Sequence, residues 1–261
     1  MRSWKHIFIA LVVLPVLCNG QDFVLPVQSV EDLQVSFNVS NATLDIKGHD
    51  RSEVIIKSRS PKSVRIDERA EGLRTITSVE DNTGIGLHVE EIPGEIRIIK
   101  TTVHTVGTYE ILLPMAANVY IEETRWNGRA FNLSNLNGNV EILSNNSDIH
   151  MVDIYGSVRA KTTSGEIVVN LPAWDSTTNH KISSVSGLVD VTFPGHVNAS
   201  IKMNTISGVI ITSFDMEVYK EYKGSTLKRI GRFKKGEKHL NGGGGWLEVR
   251  SVSGVVKLTT K

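Results

Sequence analysis

The chain has 261 residues, of which 29 are Lys or Arg and 28 are Asp or Glu, and it contains one cysteine. This near-neutral balance gives no reason to expect a nucleic acid or an acidic membrane as a partner. One cysteine cannot form a disulfide within the chain, and a chain of this length is compatible with a single all-β domain.

Residues 1–20 have the pattern of a secretory signal peptide. Arg2 and Lys5 give a positive start, residues 7–17 are almost entirely apolar, and residues 18–20 end in the small residues that a signal peptidase accepts. A membrane anchor is the alternative, but the apolar run is shorter than the about 20 residues that cross a bilayer. We therefore expect an exported protein, found in the periplasm, on the outer surface or outside the cell.

The only cysteine, Cys18, lies inside this segment. Attachment of a lipid to its thiol is a second alternative, although Pro15 and Leu17 stand where lipoprotein signals have Leu and a small residue. Cleavage after residue 20 removes Arg2 and Lys5 and no acid, so the formal net charge of +1 becomes −1. The remaining chain has no thiol for catalysis or metal binding. No transmembrane span is expected after cleavage.

Residues 21–105 predict short strands without a regular repeat. We expect this region to form either the first coils of a repeat structure or a sheet that caps its open end, because the end of a stack exposes a ladder edge. The strand-like pieces are 33–39, 54–56, 64–66, 73–79 and 96–99, with turns at 81–84 and 93–94.

From residue 106 onward the chain repeats itself. Several glycines are followed by an alternating apolar run, and the residue six positions after most of them is Leu or Phe, often with Pro next. Further Gly or Asn turns precede similar runs, and the steps between successive copies from Gly107 to Gly208 are 21, 19, 18, 22 and 21 residues, followed by 46 to Gly254. The candidate structural turn residues are Gly107, Gly128, Gly138, Gly156, Gly165, Gly187, Gly208 and Gly254.

Self-similarity at about 20 residues predicts a β-solenoid, in which each step is one coil of short strands. We interpret the glycines as corners that supply the positive φ of a tight turn, and the β-branched residues after them as strands with one inward face. An ordinary β-sandwich of hairpins is the alternative, since Asn-Gly also marks hairpins. We expect a single domain over 21–261, with regular repeats over 106–261.

A basic insertion interrupts the repeats at 216–245. Eight Lys and Arg residues lie between 220 and 238, together with three aromatic residues, and the segment ends in four consecutive glycines. It is either an arm for an anionic polymer or a solvated hairpin between coils. Glu217, Glu221 and Glu237 dilute its charge and favour the hairpin.

The segment 240–258 reads Leu-Asn-Gly-Gly-Gly-Gly-Trp-Leu-Glu-Val-Arg-Ser-Val-Ser-Gly-Val-Val-Lys-Leu. With the Ser-Gly-Glu-Ile-Val-Val-type repeats from about residue 105, it resembles the bacterial "putative adhesin" family, an exported domain of unknown function found in Bacteroidetes. The resemblance covers about residues 30–261 and is most specific in the C-terminal half. It implies an all-β, right-handed single-stranded β-helix or β-solenoid, and it supplies no catalytic motif.

The search for chemistry gives no catalytic or metal-binding set, and no cofactor is expected. The seven histidines after residue 20 have no metal-ligand spacing. Four carboxylates could line one face and bind Ca²⁺ or act on sugars, or could simply be polar outward positions; they are Glu141, Asp148, Asp153 and Glu166. Trp126, Trp174 and Trp246 either stack on sugar rings or pack at corners.

These observations favour an adhesin-like interaction protein of the cell envelope, presenting a rigid β-ladder to a surface glycan or an envelope protein. A β-helical polysaccharide lyase or hydrolase is the first alternative. A structural or sensory envelope module without its own ligand is the second.

Overall fold

A computed structural model of the protein describes residues 22–59, 79–221 and 233–261, which form 21 β-strands and no helix. The predicted signal peptide, the predicted strand 64–66 and all but the last residue of the predicted strand 73–79 lie outside the described residues. The strands are β1 (Asp22–Pro26), β2 (Gln34–Val39), β3 (Ala42–His49), β4 (Glu53–Ser58), β5 (Leu87–Ile92), β6 (Glu95–Lys100), β7 (Gly107–Pro114), β8 (Asn118–Glu123), β9 (Ala130–Leu136), β10 (Val140–Leu143), β11 (Asp148–Ile154), β12 (Val158–Thr162), β13 (Ile167–Asn170), β14 (His180–Ser184), β15 (Val189–Phe193), β16 (Ala199–Thr205), β17 (Val209–Thr212), β18 (Glu217–Glu221), β19 (Phe233–Leu240), β20 (Gly245–Ser251) and β21 (Val255–Thr260).

The strands form two large sheets. Sheet A has the order β1-β4-β7-β3-β9-β11-β13-β15-β21-β17, and sheet B has the order β18-β19-β16-β20-β14-β12-β10-β8-β2-β6-β5. One strand of each coil lies in sheet B and the next strand lies in sheet A, as in β10 and β11. The prediction of an all-β protein is confirmed.

Neighbouring coils pair in parallel. Val140 of β10 faces Val158 of β12, and Ile149 of β11 faces Ile167 of β13. A sandwich of hairpins would pair sequential strands antiparallel, so that alternative is wrong for the central strands. The seven-residue copies after Gly107, Gly165, Gly187, Gly208 and Gly254 all become strands of sheet A, namely β7, β13, β15, β17 and β21.

The order of coils along the stack differs from their order in the chain. The C-terminal coil, β20 with β21, lies between the coil β14–β15 and the coil β16–β17. At the other end, β2 with β3 lies between β6–β7 and β8–β9. Stacking order therefore departs from chain order at both ends of the stack.

Antiparallel strands occupy the ends of the stack. At one end, β4 pairs antiparallel with β7, β1 pairs with β4, and β5 pairs with β6. At the other end, β19 pairs antiparallel with β16 and with β18. The basic insertion therefore forms a hairpin that extends sheet B, with residues 222–232 outside the described part. On sheet A at this end, β17 is the last strand.

The inward side chains of both sheets form one continuous hydrophobic core. Inward and outward positions alternate along each strand, as in β12, where Val158, Ala160 and Thr162 are buried and Arg159 and Lys161 are exposed. Because no coil encloses its apolar residues alone, each coil depends on its neighbours for burial. This packing makes the two outer faces rigid surfaces with side chains in register.

Seven of the eight predicted turn glycines lie between strands and Gly107 is the first residue of β7, but the positive φ proposed as the reason for them is wrong. None of the eight has a positive φ; among the glycines that the structure describes, that conformation occurs at Gly84, Gly86, Gly94, Gly242 and Gly243. A side chain at any of the eight would instead place its Cβ 2.0 to 2.5 Å from a neighbouring atom. Four of them, Gly165, Gly187, Gly254 and Gly208, form one column in which each lies against a carbonyl oxygen of the preceding coil. Close coil packing therefore excludes a Cβ there.

A column of buried polar side chains ends the strands of sheet B beside this corner. In four coils, the hydroxyl three residues before the glycine accepts the glycine N–H, at distances of 2.9 to 3.2 Å. In the coil of β8 the position is taken by Glu123, whose Oε2 accepts hydrogen bonds from Ser144 Oγ and from the backbone N–H groups of Asn145, Asn146 and Ser147. This buried glutamate joins two coils at the corner.

Lys100 ends β6 in the same column. Its ammonium group donates to the carbonyl oxygens of Thr102 and Thr105, and burial lowers its pKa to about 8. Val39 separates Lys100 from Glu123 in the ladder. Both buried charges therefore order local corner loops in the N-terminal half of the stack.

Candidate functional site

The outer face of sheet B presents polar side chains in columns that run along the stack. The column at the start of the strands contains Asn118, Asn139, Ser157, Asn179 and Trp246, which the strand registers place side by side. Neighbouring positions in such a ladder are about 4.8 Å apart. We call this row the amide column.

The hydrogen bonds of the amide column leave one set of groups unused. Asn118 Oδ1 accepts the N–H of Asn139 at 2.9 Å, Asn139 Oδ1 accepts the N–H of Ser157 at 3.0 Å, and Asn179 Oδ1 accepts the N–H of Trp246 at 3.0 Å. Each amide oxygen is therefore engaged with the next coil. The three Nδ2 groups have no protein partner among the described residues, so they are donors available to a ligand.

Two ion pairs lie beside the amide column. Arg159 lies 3.8 Å from Glu141, and Lys181 lies 3.5 Å from Glu248. Both pairs are largely exposed on the cationic side, so they stabilise the fold only weakly and can exchange partners with a ligand. Tyr120 adjoins the same row, and partial burial together with Glu122 and Glu141 raises its pKa.

Two adjoining depressions follow the amide column. One has a volume of about 480 Å³ and contains Trp246, and the other has a volume of about 420 Å³ and contains Tyr120; both include Asn139, Ser157 and Arg159. From Tyr120 on β8 to Trp246 on β20 there are four strand spacings, or about 19 Å. We call this continuous depression the amide trough.

The amide trough combines the groups that bind sugars. An indole ring that is 37% exposed at Trp246 and the phenol ring of Tyr120 offer apolar faces, and the free amides offer hydrogen-bond donors between them. Glycoside hydrolysis needs two carboxyl groups on either side of one bond. Glu141 is the one carboxylate among the described residues that line the trough. The aromatic faces and the amide donors together are suited to binding a sugar chain.

Of the four carboxylates singled out in the sequence, the structure brings together Asp148 and Glu166, which lie side by side on neighbouring coils. Glu141 lies on the outer face of sheet B, whereas Asp148 and Asp153 lie at opposite ends of β11 in sheet A. Asp148 Oδ1 accepts the N–H of Glu166 across a corner. No group of three or more potential metal ligands occurs within the described ranges.

The tryptophans divide between the two roles that the sequence left open. Trp174 is buried and packs edge-on against His180 and Phe193, at centroid distances of 5.0 and 5.5 Å. Trp126 at a corner is 65% exposed, and Trp246 lines the trough. Sequence reasoning missed the amide column, although the steps from Asn118 to Asn139, Ser157 and Asn179, which are 21, 18 and 22 residues, follow the same period.

Comparisons with known proteins give the following relationships. No curated protein matches the sequence. Among solved structures, a "putative cell adhesion protein" from Clostridium sporogenes is similar over 92% of this chain and 99% of that chain, with 12% identity and a TM-score of 0.45. A "putative adhesin" from Bacteroides fragilis has 12% identity over 92% and 96% of the two chains, with a TM-score of 0.28.

A "putative lipid binding protein" from Parabacteroides distasonis has 13% identity over 92% and 97% of the two chains, with a TM-score of 0.22. In the part of the chain that the structure describes, no helix is long and apolar enough to cross a membrane. The profile of one family, described as Toastrack DUF4097, matches residues 129–259, which include the regular coils from β9 to β21. The match extends over half of the sequence, and the chain therefore belongs to the Toastrack DUF4097 family.

Proposed function

We propose that this protein is an exported, adhesin-like interaction module that binds a surface glycan in the amide trough. In this proposal residues 1–20 are a cleaved signal peptide, and 21–261 form one right-handed, single-stranded β-solenoid domain in the periplasm, on the outer surface or outside the cell. The observation that carries the proposal is the row of amide donors between Tyr120 and Trp246, which have no protein partner within the described ranges.

The geometry of the row supports a polymeric ligand. Asn118, Asn139 and Asn179 repeat their donors along the stack axis because each oxygen is held by the following coil or strand. A sugar chain lying along this axis meets one donor after another, and its ring faces can contact Trp246 and Tyr120. The fixed oxygens also order the donors before the ligand arrives, which lowers the entropy cost of binding.

The test is a glycan array with the protein expressed from residue 21, followed by titration of any glycan that binds. Asn139→Asp keeps an oxygen for the Ser157 N–H and removes the free donor, so we expect affinity to fall about tenfold, the loss of roughly one hydrogen bond. Trp246→Ala should also weaken binding, by about tenfold or more.

Matched controls are available on surfaces outside the trough. Asn170 on sheet A accepts a hydrogen bond from Lys261 Nζ, and Trp126 is exposed at a corner. Asn170→Asp and Trp126→Ala should leave affinity unchanged. Absence of binding across the array, or equal losses in the trough variants and the controls, would argue for a module without its own glycan ligand.

A further inference from the structure

A second groove lies at the other end of the sheet B strands. It has a volume of about 480 Å³, within the range of pockets for small molecules. Its lining includes three aliphatic and three cationic side chains, which are Val185, Ile206, Val252, Lys161, Lys235 and Arg250. None of these residues belongs to the amide trough. We call this feature the corner groove.

The aliphatic side of the corner groove is a ridge of three consecutive coils. Val185, Val252 and Ile206 each precede a Ser-Gly corner, and the corner N–H groups of Ser253 and Ser207 donate to the carbonyls of Val185 and Val252. The three side chains remain 40%, 38% and 37% exposed. The equivalent corners of the two preceding coils carry the polar residues Asn145 and Thr163, so the ridge is confined to the groove.

The cationic side is a row on the outer face of sheet B. The ladder places Lys161, Ser183, Arg250, Asn204 and Lys235 next to one another on five adjacent strands. Ser183 and Asn204 are short, so they leave room between the long cations. Arg250 pairs with Glu248, whereas Lys161 and Lys235 have no carboxylate partner among the described residues. No carboxylate lines the groove within the described part of the chain.

These two sides indicate an amphiphilic anion. The row from Lys161 to Lys235 spans four strand spacings, about 19 Å. One acyl chain is about 15 Å long, half of the about 30 Å hydrocarbon core of a bilayer. A single chain can therefore lie along the ridge with its acidic headgroup against either end lysine.

The backbone of the groove gives little for a peptide to bind. β12, β14, β20, β16 and β19 each have a paired neighbour on both sides, so their ladder N–H and C=O groups are already used. An extended peptide gains affinity from main-chain hydrogen bonds at a free sheet edge, and this groove lies on the face of a sheet. The hydrocarbon ridge and the unpaired cations match the chemistry of a lipid better.

We propose that the corner groove binds a single-chain anionic lipid, with the acyl chain on Val185, Val252 and Ile206 and the acidic headgroup held by Lys161 or Lys235. This site is separate from the amide trough and does not depend on the protein's binding a glycan. The ligand class is defined by one aliphatic chain and one acidic group.

The test is a calorimetric titration of the protein, expressed from residue 21, with palmitate below its micelle concentration. Hexadecyltrimethylammonium is the control probe, because its chain has equal length and its charge is opposite. Palmitate should bind and the cation should not. Lys161→Glu combined with Lys235→Glu should weaken palmitate binding about a hundredfold, and Val252→Asp should weaken it at least tenfold.

Controls with the same chemistry lie on sheet A. Lys47→Glu reverses an exposed charge there, and Val152→Asp changes an aliphatic side chain that is similarly exposed; both should leave palmitate binding unchanged. No palmitate binding, equal binding of the cationic probe, or equal losses in the controls would overturn the proposal. Binding of phosphatidylglycerol vesicles or of an acidic peptide instead of palmitate would also overturn the proposal.

Discussion

His180 is a buried titratable residue, and the cost of protonating it in the folded protein should make the free energy of unfolding depend on pH. It is 1% exposed and occupies an inward position between Val158 and Leu247 in the ladder. Its Nδ1 accepts the N–H of Val158 at 3.2 Å, and its Nε2 has no hydrogen-bond partner in the described structure. Burial lowers the pKa of His180 to about 4, from 6.5 in an unfolded chain.

The sign of the effect follows from proton binding. Between pH 6.5 and about 4 the unfolded chain carries a proton on this imidazole and the folded chain does not, so acid favours unfolding. The contribution of the neutral imidazole to the free energy of unfolding is fully present above pH 6.5 and falls as the pH drops toward about 4. Below that pH both states are protonated, and no further stability is lost. Each pKa unit corresponds to 1.36 kcal/mol, so the whole shift is worth about 3 kcal/mol. About 2 kcal/mol of it is lost between roughly pH 7.5 and pH 5.

The assay is urea unfolding of the wild type and of His180→Asn across this pH range. The Asn oxygen can still accept the Val158 N–H, so the substitution removes the titration and retains the hydrogen bond. The variant should be less stable at every pH because it packs less well. Between roughly pH 7.5 and pH 5, however, its free energy of unfolding should fall by about 2 kcal/mol less than that of the wild type. His150→Asn, on the exposed face of β11, should keep the wild-type slope. Equal slopes in all three proteins would refute the reasoning.

Two further predictions concern the corners. Gly187→Ala places a Cβ 2.0 Å from the carbonyl oxygen of Gly165, so the coils must separate, and we expect a loss of about 3 kcal/mol in the free energy of unfolding. Gly84 has a φ of +73°, and no atom lies within 4 Å of the Cβ that Gly84→Ala would add, so this control should cost only about 1–2 kcal/mol. Similar losses at both sites would contradict the role of coil contact. Glu123→Ala leaves the N–H groups of Asn145 and Asn146, and the hydroxyls of Ser144 and Ser147, without the carboxylate that accepts from them, and should cost about 3 kcal/mol. Glu122→Ala, at the exposed neighbouring position, should change the free energy of unfolding by less than about 0.5 kcal/mol. Chemical denaturation measures both variants, and equal losses would show that the Glu123 carboxylate does not hold the corner.

Part of the strand pattern could be predicted because it depends on residues that are close together in the sequence. Gly165 and Gly187 both precede an alternating run, and each run becomes a strand of sheet A whose first inward residue is Ile167 or Val189. The period of two places Val169 and Val191 in the core and Asn170 and Thr192 outside. Strand class and inward face could be predicted because both depend on neighbours in the sequence.

The role of the corner glycines needed the third dimension. A Ser-Gly pair has the same appearance in a turn with positive φ and in a corner packed against another chain segment. At Gly254 the deciding contact is the carbonyl oxygen of Gly187, which is 67 residues away in the chain. The sequence therefore predicted the residue and its place, and only the contact revealed the physical reason.

The candidate sites were also beyond the sequence. Asn139 and Trp246 are 107 residues apart in the chain, and Lys161 and Arg250 are 89 apart, yet each pair lines one depression. Their proximity depends on β20 lying next to β14, a pairing that no local pattern encodes. The ridge of Val185, Val252 and Ile206 exists for the same reason.

The sequence by itself determined the all-β class and, for the strands that follow the predicted turn glycines, the alternation of inward and outward residues, because that alternation acts within a single short segment. Tertiary structure alone decided which coil lies beside which. Every coil offers much the same ladder of hydrogen bonds to a neighbour, so the order of stacking depends on contacts between distant segments. That order places β20–β21 inside the stack, and it assembles both the amide trough and the corner groove.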